Sequence, residues 1–349
     1  MSRLKGPKTM FIGRRIGVLM GGLSSERELS LQTGEAVHAA LVERGHQAVK
    51  VFVDRDLDLV LRAERIDVAF LALHGRYGED GCVQGLLEVL GIPYTGSGVL
   101  ASALAMDKLK AKELFRLHNL PTPQYYVHRR GQGGAVEQHG SFGYPAIVKP
   151  RAEGSSLGVR RVEDDEDLDG AVEAALRFDD DVLVERFIEG VELHVALLGD
   201  RALGAVEVEP AHTSEGGIFD VQTRHGHGRG RGRASVSFHA PPRLSVERLR
   251  GALTFAERAA RALECSGLVE VDVVVSERGN EYVLEVDTLP SLAPQSLLPK
   301  ILHAADVDFA SLIETVLFDA KVHSGGRAQV SRAGASELSP DRRLTTEHH

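Results

Sequence analysis

The chain has 349 residues, and 41 lysines and arginines stand against 50 aspartates and glutamates, so its formal net charge is −9. This length predicts two or three domains. The acidic balance argues against a general nucleic-acid binder, because such domains are usually basic. The two cysteines, Cys82 and Cys265, stand far apart and form no CxxC pair, so the sequence indicates neither a disulfide framework nor a cysteine zinc site.

Signals for a membrane or for secretion are not visible in the sequence. Every apolar run is shorter than the roughly 18 residues of a membrane span. The basic start, MSRLKGPKTMFIGRR, lacks the apolar stretch of a signal peptide. We therefore expect a cytoplasmic protein with no membrane partner. Residues 1–14 are expected to be flexible, and the Ser-, Gly-, Arg- and His-rich residues 323–349 to be a disordered tail.

The first predicted unit, residues 15–98, alternates short apolar strands with helices, which is typical of an α/β unit. The first helix is predicted to run to about Val42, and Ser25 and Glu28 have the spacing of a capping box at its start. A second helix is predicted over residues 83–90. Strands are predicted at residues 16–20, 48–54 and 67–75, the last apolar enough to be central in a parallel sheet.

The following part of the chain predicts a series of further strands and helices. Strands are predicted at residues 144–150, 157–163, 181–188, 192–208, 268–276 and 281–290. Helices are predicted at residues 100–118, 245–263 and 309–319, with a further acidic helix start near residue 164.

Two turns rich in glycine and serine have the character of ligand loops. GGLSSERE (21–28) lies between a strand and a helix, where free backbone N–H groups favour an anion or substrate; the alternative is an ordinary capped turn. VKPRAEGSSLGV (148–159) resembles a lid over phosphates. There Lys149 supplies a point charge, and Gly154, Ser155 and Gly158 allow close backbone approach. The alternative is a hairpin with a polar turn.

Carboxylates on apolar strands are the most specific chemical signal. Asp272, Glu285 and Asp287 lie on two neighbouring strands, and residues 285 and 287 share a sheet face. Such carboxylates repel one another unless a cation neutralises them, and hard oxygen ligands favour Mg²⁺. In LVERFIEGVE (183–192), Glu185 and Glu192 flank a strand end suited to an adenine ring and its ribose, although surface glutamates are usually only solvated.

Five spaced motifs together resemble the D-alanine–D-alanine ligase family, from about residue 15 to residue 320. They are GVLMGGLSSERELSLQTG, LHGRYGEDGCVQGLLEVLGIPYTGSG, ASALAMDKLKAK, VKPRAEGSSLGV and LEVDTLPSLAPQSLLP. The resemblance implies an α/β ATP-grasp fold of three domains, with an N-terminal Rossmann-like parallel sheet and ATP held between the second and third domains. These domains would comprise residues 15–98, a central ATP-grasp subdomain at residues 99–184 and a C-terminal one at residues 185–322. It also implies small amino-acid substrates and a possible homodimer.

The chemistry implied by the resemblance is ATP-dependent formation of a C–N bond for peptidoglycan precursor synthesis. ATP phosphorylates the carboxylate of one D-alanine, and the amine of a second attacks the acyl phosphate. Positioning and charge neutralisation carry most of such a reaction.

The resemblance also assigns roles to individual residues. Glu26 would bind the ammonium of the first amino acid beside His74, while Ser296 and Leu297 would bind the carboxylate of the second. The implied catalytic residues are Glu26, Ser155, Arg224, His225 and Ser291. The implied ATP-binding residues are Lys108, Lys149, Glu153, Ser156, Glu185 and Glu192. The implied ligands of two Mg²⁺ ions, with Mn²⁺ as a substitute, are Asp272, Glu285 and Asp287.

Four positions depart from the family pattern. Glu270 replaces an arginine, Asp287 an asparagine and Ser291 a glycine, and Arg224–His225 replace a lysine–tyrosine pair. The last pair opens RHGHGRGRGR (224–233), which we interpret as a flexible active-site lid whose arginines face ATP. The histidine at position 225 suggests an alternative function, a ligase with another acceptor such as D-lactate, D-serine or another amine. The glutamate at position 270 suggests a further alternative, a nucleotide-binding homologue with weak catalytic activity.

Overall fold

Three separate β-sheets organise the fold, in a computed structural model that describes residues 11, 13–140, 142–209 and 236–326. The strands are β1 (Arg15–Gly21), β2 (Gln47–Val53), β3 (Val68–Leu71), β4 (Tyr125–Arg129), β5 (Ala146–Pro150), β6 (Arg160–Val162), β7 (Asp181–Arg186), β8 (Gly190–Leu198), β9 (Arg201–Glu209), β10 (Ser237–His239), β11 (Leu268–Ser276) and β12 (Glu281–Asp287).

Helices cover these sheets and connect them. They are α1 (Arg27–Glu43), α2 (Leu57–Ala63), α3 (Cys82–Leu90), α4 (Val99–Met106), α5 (Lys108–Leu117), α6 (Ala135–Gln138), α7 (Asp165–Ala175), α8 (Val246–Ala262), α9 (Leu297–Ala304) and α10 (Phe309–Phe318). Within the described ranges, no helix has both the length and the apolar character needed to cross a bilayer.

The N-terminal sheet is parallel, in the order β2-β1-β3, as the apolar runs predict. Helix α1 packs on it through Val37, Ala40 and Leu41. The predicted capping box does not form, because the helix begins at Arg27 and its N-cap residue, Glu26, makes no side-chain cap. Instead the backbone N–H of Glu26 donates to Ser24 Oγ over 3.1 Å, which shapes the turn before the helix.

The central sheet is antiparallel, in the order β4-β7-β5-β6. Because β7 continues to Arg186, the expected domain boundary between residues 184 and 185 falls inside a strand. The single helix expected at residues 100–118 is two helices, α4 and α5, since Asp107 between them has an extended backbone. Ala105 and Phe115 on these helices pack with the third sheet, not with the central sheet.

The third sheet has the order β10-β9-β8-β11-β12, with β11 buried between two neighbours. Alternation along β11 separates its two faces. Val269, Val271 and Val273 join the apolar core beneath α8. Glu270 and Asp272 therefore face the opposite side, and this opposite face carries the candidate site.

The end of the described chain returns to the N-terminal unit. Tyr94 pairs with Lys321 in an isolated antiparallel bridge, and α10 shares a core cluster with α1. The backbone N–H groups of His323 and Ser324 donate to Glu88 over 2.8 and 3.0 Å. Residues 323–326 thus form an ordered 3₁₀ turn, not the start of the expected tail, while residues 327–349 lie outside the described part. Phe11, expected to be flexible, is buried.

Candidate active site

A polar cleft lies where the three sheet units meet. Its walls come from the start of α1, the 153–155 loop, α5, strands β11 and β12, and the segment that leads into α9. The side chains that line it include Glu26, His74, Glu79, Lys108, Glu153, Ser155, Glu270, Asp272, Glu285, Asp287, Ser291, Ser296 and Leu297. The sequence predicts a site role for eleven of these thirteen residues. It predicts none for Glu79, and it identifies Glu270 only as a departure from the family pattern.

One face of the third sheet carries a dense group of carboxylates, which we call the acidic face. Asp272 lies opposite Glu285 in the β11–β12 ladder, and Glu270 lies opposite Asp287. Across the other edge of β11, Asp272 lies opposite His194 of β8. Directly opposed residues share a sheet face. The acidic face consists of Glu192, His194, Glu270, Asp272, Glu285 and Asp287.

Burial and mutual repulsion alter the protonation of this face. Burial raises the pKa of Asp272 to about 6, with His194 opposing and Glu285 and Glu270 adding to the shift. Burial also raises the pKa of Asp287 well above its usual range, and the charges of Glu79 and Glu270 act in the same direction. A cation bound among these groups would reverse the direction of both effects.

His194 is the basic member of the acidic face. Its Nδ1 lies 3.0 Å from Glu270 Oε1 and 2.7 Å from Asp272 Oδ1, and its Nε2 lies 3.2 Å from Glu192 Oε1. Burial opposes its protonation, but the Asp272 charge and these contacts raise the pKa of His194 well above its usual value. The sequence interpretation missed this residue, although its alternation with Glu192 along β8 places both on one face.

A second buried ionic group lies on the central unit, and we call it the lysine cluster. Lys112 Nζ and Lys149 Nζ lie 3.1 and 3.0 Å from Glu185 Oε1. All three residues are buried. Burial lowers the pKa of Lys112 to about 8, whereas the charges of Glu185 and Glu285 overcome burial and raise that of Lys149. Lys112 was not identified from sequence.

Lys108 contacts both the acidic face and the loop that follows β5. Its Nζ donates to the backbone carbonyl of Glu153 and lies 3.6 Å from Glu285 Oε2. Glu153 also pairs with Arg76, whose Nε lies 3.0 Å from Glu153 Oε1. Lys108 therefore connects the acidic face to the 153–158 loop.

The predicted phosphate lid is a loop with an unusual backbone. Ser155 and Ser156 both adopt positive φ angles, of 46° and 57°, which L-residues rarely adopt outside constrained sites. Ser155 Oγ donates to Glu26 Oε1 from the N-terminal unit. This contact brings together two of the residues to which the resemblance assigns catalytic roles.

A chain of hydroxyl groups extends from His74 to α9. His74 Nδ1 lies 3.2 Å from Glu79 Oε1, and its Nε2 lies 2.9 Å from Thr33 Oγ1. Thr33 Oγ1 lies 3.2 Å from Ser291 Oγ, which lies 2.7 Å from Ser296 Oγ. Burial lowers the pKa of His74, so the neutral ring is favoured in this chain.

Ser296 is the N-cap residue of α9, and Leu297 is its first helical residue. Both line the cleft, as does Ser291, so the N-terminus of α9 borders the same space. A helix start of this kind favours a carboxylate. Arg224 and His225 lie outside the described residues, as does the rest of RHGHGRGRGR.

Comparisons with known proteins agree with this arrangement. A family model for the D-ala D-ala ligase C-terminus matches residues 114–318, and one for the D-ala D-ala ligase N-terminus matches residues 57–97. The chain belongs to the D-alanine–D-alanine ligase family. The resemblance identified from sequence is thereby confirmed.

Individual relatives cover most of the chain. A D-alanine–D-alanine ligase of Geobacter sulfurreducens is 51% identical over 89% of this chain and 96% of its own length. A crystal structure of the enzyme from Bacillus anthracis has a TM-score of 0.77 and 34% identity, over 87% of this chain and 96% of that one. The VanG D-Ala:D-Ser ligase of Enterococcus faecalis has a TM-score of 0.74 and 27% identity, over 87% and 99%. The expected α/β ATP-grasp fold is confirmed.

Proposed function

We propose that this protein is an ATP-dependent ligase that joins two D-alanines for peptidoglycan precursor synthesis. The observation that carries the proposal is the meeting of three elements in one cleft: Glu26 with Ser155, the acidic face, and the N-terminus of α9. They provide places for an ammonium group, for metal-bound phosphates and for a carboxylate. The family relatives named as D-alanine–D-alanine ligases support it.

ATP is assigned to the space between the central and third sheets. Lys149 and Lys108 would contact its phosphates, with Glu153 and Ser156 in the loop above them, while Glu185 and Glu192 would contact the adenine and ribose. Lys149 is paired with Glu185, so contact with a phosphate would compete with this ion pair.

Magnesium fits the carboxylates of the acidic face. Asp272, Glu285 and Asp287 offer hard oxygen donors, and the pairing of β11 with β12 places them on one sheet face. When bound, Mg²⁺, or Mn²⁺ in its place, would neutralise phosphate charge as phosphoryl transfer proceeds.

The two amino acids would bind on opposite sides of the hydroxyl chain. Glu26 would hold the ammonium group of the first, with Ser155 fixing the carboxylate of Glu26, so that the first amino acid presents its own carboxylate to ATP. The start of α9, with Ser296 and Leu297, would hold the carboxylate of the second. The resulting geometry directs the second amine at the acyl phosphate, and closure excludes water that would hydrolyse it.

Phosphate release with ATP and Mg²⁺, measured over D-alanine, D-lactate, D-serine and a panel of other amines, tests the proposal. We expect release that depends on D-alanine, with the dipeptide as product. Release with another acceptor alone would identify a ligase of different specificity. Failure with every acceptor would contradict ligation and leave a nucleotide-binding homologue. A homodimer remains a prediction that sedimentation would test.

A further inference from the structure

We propose that His194, Glu270 and Asp272 form a binding site for a transition-type divalent cation, distinct from the nucleotide magnesium sites. One imidazole nitrogen and two carboxylate oxygens converge from two neighbouring strands. This inference rests on the proposed function in one respect, because Asp272 is also assigned there to magnesium.

The geometry supports ligation by all three side chains. Their ligand atoms lie within 4.8 Å of one another, and all three residues are buried. Nδ1 of His194 lies 2.7–3.0 Å from one oxygen of each carboxylate. Metal–ligand bonds of about 2.0–2.2 Å place neighbouring ligand atoms about 3 Å or slightly more apart. If the three ligand atoms moved apart by a few tenths of an ångström, an ion would fit between them without any movement of the strands.

The remaining nitrogen of His194 has the partner that metal-binding histidines usually have. Nε2 lies 3.2 Å from Glu192 Oε1, so this ring nitrogen can donate its hydrogen while Nδ1 faces the two carboxylates. Metal-bound histidines commonly donate their second N–H to a carboxylate, which fixes the tautomer and the ring orientation. Glu192 would thus be a positioning residue and not a ligand.

The ligand set selects the class of cation. Mg²⁺ prefers oxygen ligands and keeps several waters, whereas Mn²⁺, Co²⁺ and Zn²⁺ accept an imidazole nitrogen. The charge balance also favours a dication, because two buried carboxylates lie against a single imidazole.

Binding of Mn²⁺ to the full-length protein, without nucleotide or amino acids, tests the site. Pulsed electron paramagnetic resonance reports a ¹⁴N coupling when imidazole ligates Mn²⁺. We expect this coupling in the wild type, and its loss with weaker binding in His194→Gln. Glu192→Gln should keep the coupling but bind about 10- to 100-fold more weakly, the usual effect of losing an outer-shell partner.

Matched variants separate this site from the alternatives. Glu285→Gln, which alters only the proposed magnesium set, should retain the ¹⁴N coupling, and so should His303→Gln on the exposed surface of α9. Glu270→Gln should weaken binding, and thermal unfolding should confirm that each variant folds. A wild type without ¹⁴N coupling, or coupling that survives in His194→Gln, would overturn the site. Mg²⁺-dependent phosphate release is assayed separately, so a failed ligase assay cannot be mistaken for a failed metal site.

Discussion

The lysine cluster and the acidic face are both buried ionic groups, but cations outnumber carboxylates in the first and carboxylates outnumber cations in the second. In the lysine cluster, two cations share one carboxylate, Glu185. On the acidic face, three of the five carboxylates contact one histidine, His194. The first group therefore has an excess of positive groups, whereas the second has an excess of carboxylates. The cleft between them suits a ligand that carries both phosphates and metal ions.

Glu185→Gln should produce the largest change, because it leaves Lys112 and Lys149 buried without their shared anion. Loss of one partner from a buried ion pair costs about 3–5 kcal/mol. We expect the free energy of unfolding, measured by urea titration, to fall by that amount. The exposed Glu173→Gln on α7 is the control and should change it little. Equal stability of Glu185→Gln and wild type would show that the lysine cluster does not depend on its anion.

Glu285→Ala should affect catalysis on the acidic face without a comparable loss of stability. Removal of a single group that stabilises developing charge lowers kcat by about 10²–10³-fold. The loss should appear in D-alanine-dependent phosphate release at saturating Mg²⁺. Glu277→Ala, at the exposed turn between β11 and β12, should retain activity. An active Glu285→Ala enzyme would mean that the acidic face does not hold the nucleotide metals.

Lys112→Met should give a pH-dependent change in stability. Burial lowers the pKa of Lys112 to about 8, below its unfolded value of 10.5, so the folded state favours the neutral amine. The free-energy cost of burying the protonated amine is fully present below pH 8 and is lost above the pKa of the unfolded state. The advantage of Lys112→Met over wild type should therefore shrink by about 2 kcal/mol between pH 8 and pH 10. A constant difference across this range would contradict the lowered pKa.

Ser291→Ala tests the uncharged hydroxyl chain and should have the smallest effect. It removes the oxygen that contacts both Thr33 and Ser296. A neutral hydrogen bond contributes about 1 kcal/mol, so we expect about a five-fold rise in KM for the second D-alanine. Thr33→Val should give a similar but smaller rise. A larger loss in kcat than in KM would instead place Ser291 among the groups that act on the transition state.

Much of the fold could be predicted from sequence, because apolar periodicity and turn residues are local signals. The strands around Val18, Leu183 and Val271 follow from short apolar runs, and the parallel order follows from alternation with helices. The break at Asp107 was missed, since the helical pattern continues on both sides of it. The packing of α4 and α5 on the third sheet is a tertiary property that the spacing of their apolar residues does not specify.

The site was predicted less completely, for a physical reason. Asp272, Glu285 and Asp287 stand out because charges are unusual on apolar strands, and the structure brings them together. His194 and Lys112 resemble ordinary strand and helix residues in sequence, and their roles arise only from partners on other elements. Glu79 lies within a motif quoted from sequence, LHGRYGEDG, but its contact with His74 depends on how the loop folds back.

The bridge between Tyr94 and Lys321 has a mechanical consequence. It joins the last described segment of the chain to the N-terminal sheet. The first and third units are therefore held together by this pairing and by a shared apolar core. The chain enters and leaves the central sheet through the segments near residues 118–124 and 187–189. Any movement of this sheet away from the N-terminal unit would separate Ser155 from Glu26 and Arg76 from Glu153, whereas the pairing of Tyr94 with Lys321 would be unaffected.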